Sequence, residues 1–120
     1  MGNPHCVTFV DGVDRLELDK IGPRFEHDPI FPDRVNAEFI EVIDEHNLKM
    51  RVWERGSGET MACGTGACAA AIAAVLNKRC VKGEDIRVQL IGGDLKIKYS
   101  GDRVFLTGPC EKVFEGEVDI

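Results

Sequence analysis

Most of the sequence alternates apolar and polar residues with a period of two, which is typical of half-buried β-strands. Residues 39–43 and 48–53 follow this pattern on either side of a polar turn at 44–47, and they predict a β-hairpin. Further strands are predicted at residues 6–10, 86–90, 95–99, 104–106 and 112–118. We expect these strands to form one curved, largely antiparallel sheet.

One segment breaks the strand pattern. Residues 66–76 are small or apolar throughout and include six alanines, and Lys78 and Arg79 follow, where they suit the negative end of a helix. A helix that is apolar on every side must be surrounded by protein, and its small side chains let strands approach closely. We therefore predict an α+β fold in which a barrel-like sheet wraps around one buried, alanine-rich central helix.

The stretch before the first hairpin has a weaker pattern. Residues 19–27 are compatible with a short helix, but Gly22 and Pro23 oppose it. With two more prolines downstream, residues 22–33 are interpreted as a loop.

Composition narrows the class of protein. The 120 residues are 43% hydrophobic and 30% charged, which fits one globular domain. The net charge of -6 argues against binding to nucleic acid or to an anionic membrane surface. The longest apolar run, residues 67–76, is about half the length that a membrane span requires. No signal peptide is expected at the start of the chain, because no positive segment precedes an apolar core there.

The cysteines indicate the cellular compartment. Their number, five, is odd, and their spacing is not paired, so we expect reduced thiols in a cytoplasmic protein. The three histidines are not spaced as metal ligands, so no metal site is expected.

Candidate chemistry concentrates in residues 56–66, where four glycines lead into the predicted helix. The first turn of a helix has unpaired backbone N–H groups and the positive end of the dipole. Gly64, Thr65 and Gly66 therefore form a candidate cradle for a carboxylate or a phosphate. Cys63, immediately before this cradle, is in a setting that lowers the pKa of a thiol.

The residue pattern leaves several interpretations of Cys63. Nucleophilic catalysis would need a histidine base, for which His5 is a candidate, whereas proton abstraction would use the cradle to hold a carboxylate. A phosphate loop of the Walker type ends in Gly-Lys-Ser or Gly-Lys-Thr. It is excluded here because no lysine lies between Arg51 and Asn77. A dinucleotide site is disfavoured because the predicted strand ends near Glu54, well before Gly64. In the remaining interpretation, Cys63 is a small buried residue and the glycines only form turns.

Several blocks of the sequence resemble the diaminopimelate epimerase family. They are GNPHC at residues 2–6, FPDRVN at 31–36, ERGSGETMACGTG at 54–66, LTGP at 106–109 and VFEG at 113–116. The likeness extends over the whole chain but corresponds only to the second half of the family's chain. It implies that residues 1–120 are the C-terminal domain of a two-domain enzyme whose N-terminal domain is absent here.

The resemblance implies an activity and a set of site residues. The family interconverts LL- and meso-2,6-diaminopimelate for lysine and peptidoglycan synthesis, with two cysteines on opposite faces of the α-carbon and without pyridoxal phosphate or metal. Cys63 matches the proton acceptor, and His5 and Glu54 match residues that adjust the pKa of the thiols. The positions that match substrate contacts are Asn3, Asn36, Glu54, Arg55, Gly64 and Thr65.

The departures from the family pattern matter as well. The first catalytic cysteine is absent, so the isolated half is expected to be inactive without the N-terminal half as its partner. Phe114 stands where relatives often have a tyrosine at a dimer contact. We expect a homodimer that keeps the packing there but lacks the hydrogen bond of the tyrosine hydroxyl. Two alternatives to the diaminopimelate reading are a proline racemase-like or hydroxyproline epimerase-like domain and a non-catalytic amino-acid-binding module.

Overall fold

The computed structural model describes residues 5–30, 35–61 and 64–107, and the backbone of residues 115–118. The described helices are a 3-10 turn at Val13–Arg15, α1 at Leu18–Glu26 and α2 at Gly64–Leu76. The strands are β1 His5–Phe9, β2 Asn36–Asp44, β3 Asn47–Glu54, β4 Gly58–Thr60, β5 Asp85–Leu90, β6 Gly93–Tyr99, β7 Val104–Thr107 and β8 Glu115–Val118. Within these ranges no helix is long and apolar enough to span a membrane.

The strands form one mixed sheet in the order β1-β2-β3-β5-β6-β7-β8, with β4 added to β3. The pairs β1–β2 and β3–β5 are parallel, and the other pairs are antiparallel. The predicted α+β class is therefore confirmed. The path is open between β1 and β8 among the described strands, and closure into a barrel stays a prediction.

Alternating burial explains why these segments are strands. In β3, β5 and β7, buried residues alternate with half-buried or exposed ones, as expected for a sheet that packs one face on a core. The predicted hairpin joins β2 to β3, and Asp44 closes its turn by accepting hydrogen bonds from the His46 backbone and the Asn47 side chain. The strand predicted at 112–118 corresponds to β8, and residues 112–114 lie outside the described part of the chain.

Helix α2 contributes several residues to the larger hydrophobic core. Its buried face carries Ala67, Ala70, Ala71 and Ala74, and the helix contacts every strand from β1 to β7 except β4. Alanine adds little width to a helix, so the backbone lies close to the strands. Leu76 at the end of α2 is 68% exposed, so enclosure of the helix on all sides stays a prediction.

Helix α1 corrects the sequence interpretation. The loop expected over residues 22–33 is wrong for residues 22–26, which are helical and include Pro23. The buried residues Leu18, Gly22 and Glu26 are four positions apart and share one face of the helix. Packing of that face against β2, β3 and β4 outweighs the unfavourable intrinsic propensities of glycine and proline.

Strand β4 was also missed. It is only three residues long, and glycines with positive φ precede and begin it, at +80° for Gly56 and +82° for Gly58. These angles favour glycine and allow a tight return from β3 into β4. Two of the four glycines that suggested a loop leading to a cradle, Gly56 and Gly58, therefore form a hairpin.

Candidate functional site

Each of the eight described strands has one end along the same edge of the sheet, the edge that runs across the strands. The pairing directions bring together the starts of β1, β2, β4, β6 and β8 and the ends of β3, β5 and β7. Helix α2 begins at this edge, because a Cβ atom on Gly64 would lie 3.3 Å from Leu106 Cδ2, near the end of β7. The predicted residues His5, Asn36 and Glu54 occupy the three ends contributed by β1, β2 and β3.

His5 is paired with a buried carboxylate. His5 Nδ1 lies 2.9 Å from Glu38 Oε2, and the Glu38 side chain is 0% exposed. The hydrogen bond to Glu38 raises the pKa of His5 above its ordinary 6.5, against the opposing effect of burial. Burial raises the pKa of Glu38 above 4.5, and the nearby negative charge of Glu54 raises the pKa of both groups. The negative charges of Glu38 and Glu54 therefore both favour the protonated form of His5.

Asn36 holds the chain just after β3. Its side chain is buried, and Oδ1 accepts a hydrogen bond of 2.6 Å from the backbone N–H of Arg55. This bond connects the start of β2 to the end of β3. Since the carbonyl oxygen is used here, the side-chain –NH2 of Asn36 is the group that can donate to another partner.

Glu26 holds the same turn from the side of α1. Its buried carboxylate accepts the indole N–H of Trp53 at 2.8 Å and the backbone N–H of Gly56 at 3.0 Å. Together with Asn36, Glu26 fixes the backbone on both sides of Arg55. Two N–H donors on one buried carboxylate satisfy both of its oxygens, which is what burial of a charge requires.

Sequence reasoning missed Glu26 and Glu38. Glu26 has a signal, because it repeats the four-residue spacing of Leu18 and Gly22 on α1. Glu38 is harder to find, because β2 is buried on both faces from residue 36 to residue 40 and shows no alternation there. A lone charged residue in that apolar run was the available signal.

The other predicted residues divide into two groups. Gly64 and Thr65 are the first residues of α2, whose first turn presents backbone N–H groups at the same edge as His5 and Asn36. Cys63 and Asn3 lie outside the described residues. The edge thus combines a histidine–carboxylate pair, a turn at Arg55 fixed by hydrogen bonds, and the start of a helix. The helix start is suited to binding a small anionic molecule, and the histidine–carboxylate pair is suited to moving a proton.

Comparison with solved structures defines the class of fold. The chain is similar to a phenazine biosynthesis protein of the PhzF family from Enterococcus faecalis, with a TM-score of 0.63 and 17% identity over 88% of this chain and 37% of that one. A putative phenazine biosynthesis protein from Clostridium difficile gives a TM-score of 0.62 and 21% identity over the same shares. At these identities the likeness establishes the fold alone.

Sequence comparison identifies the family. The sequence model described as diaminopimelate epimerase matches residues 1–113, so the chain belongs to this family. Over 100% of this chain, the sequence is 59% identical to the diaminopimelate epimerase of Acetivibrio thermocellus. Over 98% of this chain, it is 55% identical to that of Nostoc punctiforme. The chain spans only 43% and 42% of these two relatives. The resemblance stated from the sequence blocks is confirmed.

Proposed function

We propose that this chain is the C-terminal domain of an epimerase that interconverts LL- and meso-2,6-diaminopimelate. The observation that carries the proposal is the family match over residues 1–113 by a chain that spans about two fifths of its relatives. The rest of the enzyme, including a second cysteine, then comes from an N-terminal half outside this chain. The fold, with helix and strand ends gathered at one edge, supports a site that the other half completes.

In the proposed reaction Cys63 removes the α-proton. Its thiolate takes the proton, so that a C–H bond breaks and an S–H bond forms, and the cysteine of the other half returns a proton to the opposite face of the carbon. A free thiol has a pKa of about 8.5, so it needs help to act as a base near neutrality. In the sequence Cys63 directly precedes the first residue of α2, and the positive end of a helix lowers the pKa of a nearby thiol.

The backbone N–H groups of Gly64 and Thr65 hold the substrate α-carboxylate in this scheme. As the proton leaves, negative charge spreads toward that carboxylate, and donors fixed in advance stabilise it. The scheme uses neither pyridoxal phosphate nor a metal ion, as the resemblance to the family implies. A residue without a side chain suits position 64, because a Cβ atom there would lie only 3.3 Å from Leu106 Cδ2.

The remaining site residues recognise the substrate and adjust the thiols. Asn3, Asn36, Glu54 and Arg55 contact the substrate, and Glu54 and Arg55 help to recognise its distal amino-acid end. This is supported by the hydrogen bond from the Arg55 backbone N–H to Asn36 Oδ1, which joins the Arg55 backbone to the Asn36 side chain at this edge. His5 and Glu54 adjust the thiol pKa values through their charges.

The finer architecture follows from the same proposal. We infer that the sheet curves around α2 in a barrel-like way, which the contacts of α2 with strands on both sides of β3 support. Among the described residues, the thiols of Cys6, Cys68 and Cys80 are not joined in disulfides, which fits a reducing cytoplasm. Association of two enzyme molecules is a further expectation.

Deuterium uptake tests the proposed function. We would fuse this chain to the part of the Acetivibrio thermocellus relative that it does not match, and incubate the chimera with LL-diaminopimelate in D2O. We expect deuterium at the α-carbon with the chimera and none with the 120-residue chain alone. Cys63→Ser should lower exchange by at least about a hundredfold, because it removes a group that transfers the proton.

Cys68→Ser is the matched control, since Cys68 is a buried thiol elsewhere on α2. It should retain exchange when the chimera is folded. Full exchange in Cys63→Ser would overturn the assignment of Cys63. Binding of diaminopimelate without any exchange by the wild-type chimera would overturn the epimerase and favour an amino-acid-binding module.

A further inference from the structure

The pair formed by His5 and Glu38 follows from strand register. Strands β1 and β2 are parallel, with His5 opposite Asn36 and Val7 opposite Glu38. His5 and Glu38 are therefore diagonal neighbours on one face of the sheet, a spacing that long side chains bridge. The distance of 2.9 Å between His5 Nδ1 and Glu38 Oε2 shows that they do so.

Glu38 is an expensive residue at this position. Its side chain is completely buried, and Oε1 has no hydrogen-bond partner among the described residues. Its neighbours Ala37, Phe39 and Ile40 are apolar and buried. A buried carboxylate with one oxygen unpaired lowers stability relative to an apolar side chain of similar size. The fold alone does not require a charge here, so the reason for Glu38 lies in what it does to His5.

We propose that Glu38 is a positioning residue of the active site: its buried carboxylate holds the proton of His5 on Nδ1 and orients the imidazole. This inference rests on the proposed epimerase function. An ionised carboxylate can only accept hydrogen bonds, so it selects the Nδ1–H tautomer and leaves Nε2 to interact with the thiol or the substrate. The same arrangement orients the histidine of serine hydrolases.

The surrounding charges are consistent with this role. Glu54 at the end of β3 adds a second negative charge that acts on His5, and α2 carries no charged residue. With Glu38 beside it, His5 keeps a proton to a higher pH than an isolated histidine, as the raised pKa indicates. A positive imidazolium near a cysteine favours its thiolate.

The first test measures the titration of His5 by NMR in the 120-residue chain. Glu38→Gln keeps the size of the side chain and removes its charge, so we expect the pKa of His5 to fall toward 6.5. Glu41→Gln is the matched control, because it removes a glutamate three residues along the same strand, on the other face. The control should leave the pKa of His5 in place. An unchanged pKa in Glu38→Gln would overturn the pairing.

The second test measures the pH profile of kcat and KM in the chimera. We expect Glu38→Gln to lower kcat by about tenfold to a hundredfold with little change in KM, and to move the limb of the profile that follows His5. Glu38→Asp keeps the charge on a shorter side chain and should recover part of the loss in kcat. Such recovery would show that Glu38→Gln loses activity through its missing charge and not through misfolding.

The outcomes separate the two proposals. An inactive wild-type chimera refutes the epimerase, while the titration still decides whether Glu38 holds His5. An active wild-type chimera with an unchanged profile in Glu38→Gln refutes the positioning role. A fall in both His5 pKa and kcat, with partial recovery in Glu38→Asp, supports it.

Discussion

Two regions of this domain use buried residues differently. The apolar region consists of α2 with β5, β6 and β7, and its buried strand residues are hydrophobic. The polar region consists of α1 with β1, β2 and β3, and it contains all the buried polar or charged residues of the described chain: Glu26, Asn36 and Glu38. Glu38 pairs with His5 of β1, Glu26 accepts a hydrogen bond from Trp53 of β3, and Asn36 accepts one from Arg55, directly after β3.

The difference separates stability from positioning. Apolar burial is non-directional and stabilises the fold in proportion to area. A buried carboxylate or amide is costly unless its partner is correctly placed, so it fixes directions and not just proximity. The predicted site residues His5, Asn36, Glu54 and Arg55 lie in the polar region, where backbone and side-chain directions are fixed in this way.

The largest expected effect tests whether the apolar region carries the stability. Ile97 in β6 is completely buried and pairs with Leu106. Ile97→Ala should lower the free energy of unfolding by about 2–5 kcal/mol, measured by urea denaturation, because it leaves a cavity in a packed core. Lys96→Ala, its exposed neighbour, should change that energy by less than about 0.5 kcal/mol. Equal effects of the two variants would contradict the comparison.

A slightly smaller effect is expected where α1 meets β3. Gly22 is inside α1, where alanine would add about 1 kcal/mol of helix propensity. A Cβ atom on Gly22 would lie 2.2 Å from Trp53 Cδ2, however, so Gly22→Ala should destabilise the domain by about 3 kcal/mol in urea denaturation.

The same substitution in a Trp53→Leu background isolates the clash. There the penalty should shrink or reverse its sign, because the indole is gone. A stabilising effect of Gly22→Ala in the wild-type background would show that α1 is not held against Trp53.

The next effect concerns the carboxylate that holds the turn at Arg55. Glu26→Gln leaves only one acceptor oxygen for the Trp53 and Gly56 N–H groups, so one buried donor loses its partner. We expect a loss of about 1–2 kcal/mol in stability together with a shift in the fluorescence of the single tryptophan. Glu17→Gln, at an exposed position beside α1, is the control and should change neither quantity. An unshifted emission spectrum in Glu26→Gln would argue against the hydrogen bond between Glu26 and the Trp53 indole.

The two regions also differ in how well the sequence predicted them. Alternation predicted β3, β5, β6 and β7, because one face of each packs on the core. The all-apolar run predicted α2, since so few structures accommodate it. The α+β class, the hairpin and the family followed from local patterns of this kind.

The polar region was predicted less completely, for physical reasons. Its helix contains Gly22 and Pro23, whose local preferences are overridden by contact with Trp53 and the strands. The parallel pairing of β1 with β2 joins segments about thirty residues apart, and no local pattern encodes it. Glu38 and Glu26 acquire their roles only through that long-range pairing, so the site residues matched by family likeness were found while the residues that hold them were not.

The smallest effect is a pH dependence confined to the polar region. The folded state raises the pKa of Glu38 above 4.5 and that of His5 above 6.5, so it binds these protons more tightly than the unfolded chain does. Their contribution to stability is therefore full below these values and is lost as the pH rises through the raised pKa values. Glu38→Gln removes one of the two groups and weakens the other. The free energy of unfolding of this variant, relative to wild type, should rise as the pH increases from 4.5 through 6.5, measured by urea denaturation at each pH. A relative stability that stays flat or falls would mean that the buried carboxylate is not strained by its charge, and the contrast between the two regions would then rest on hydrogen-bond direction alone.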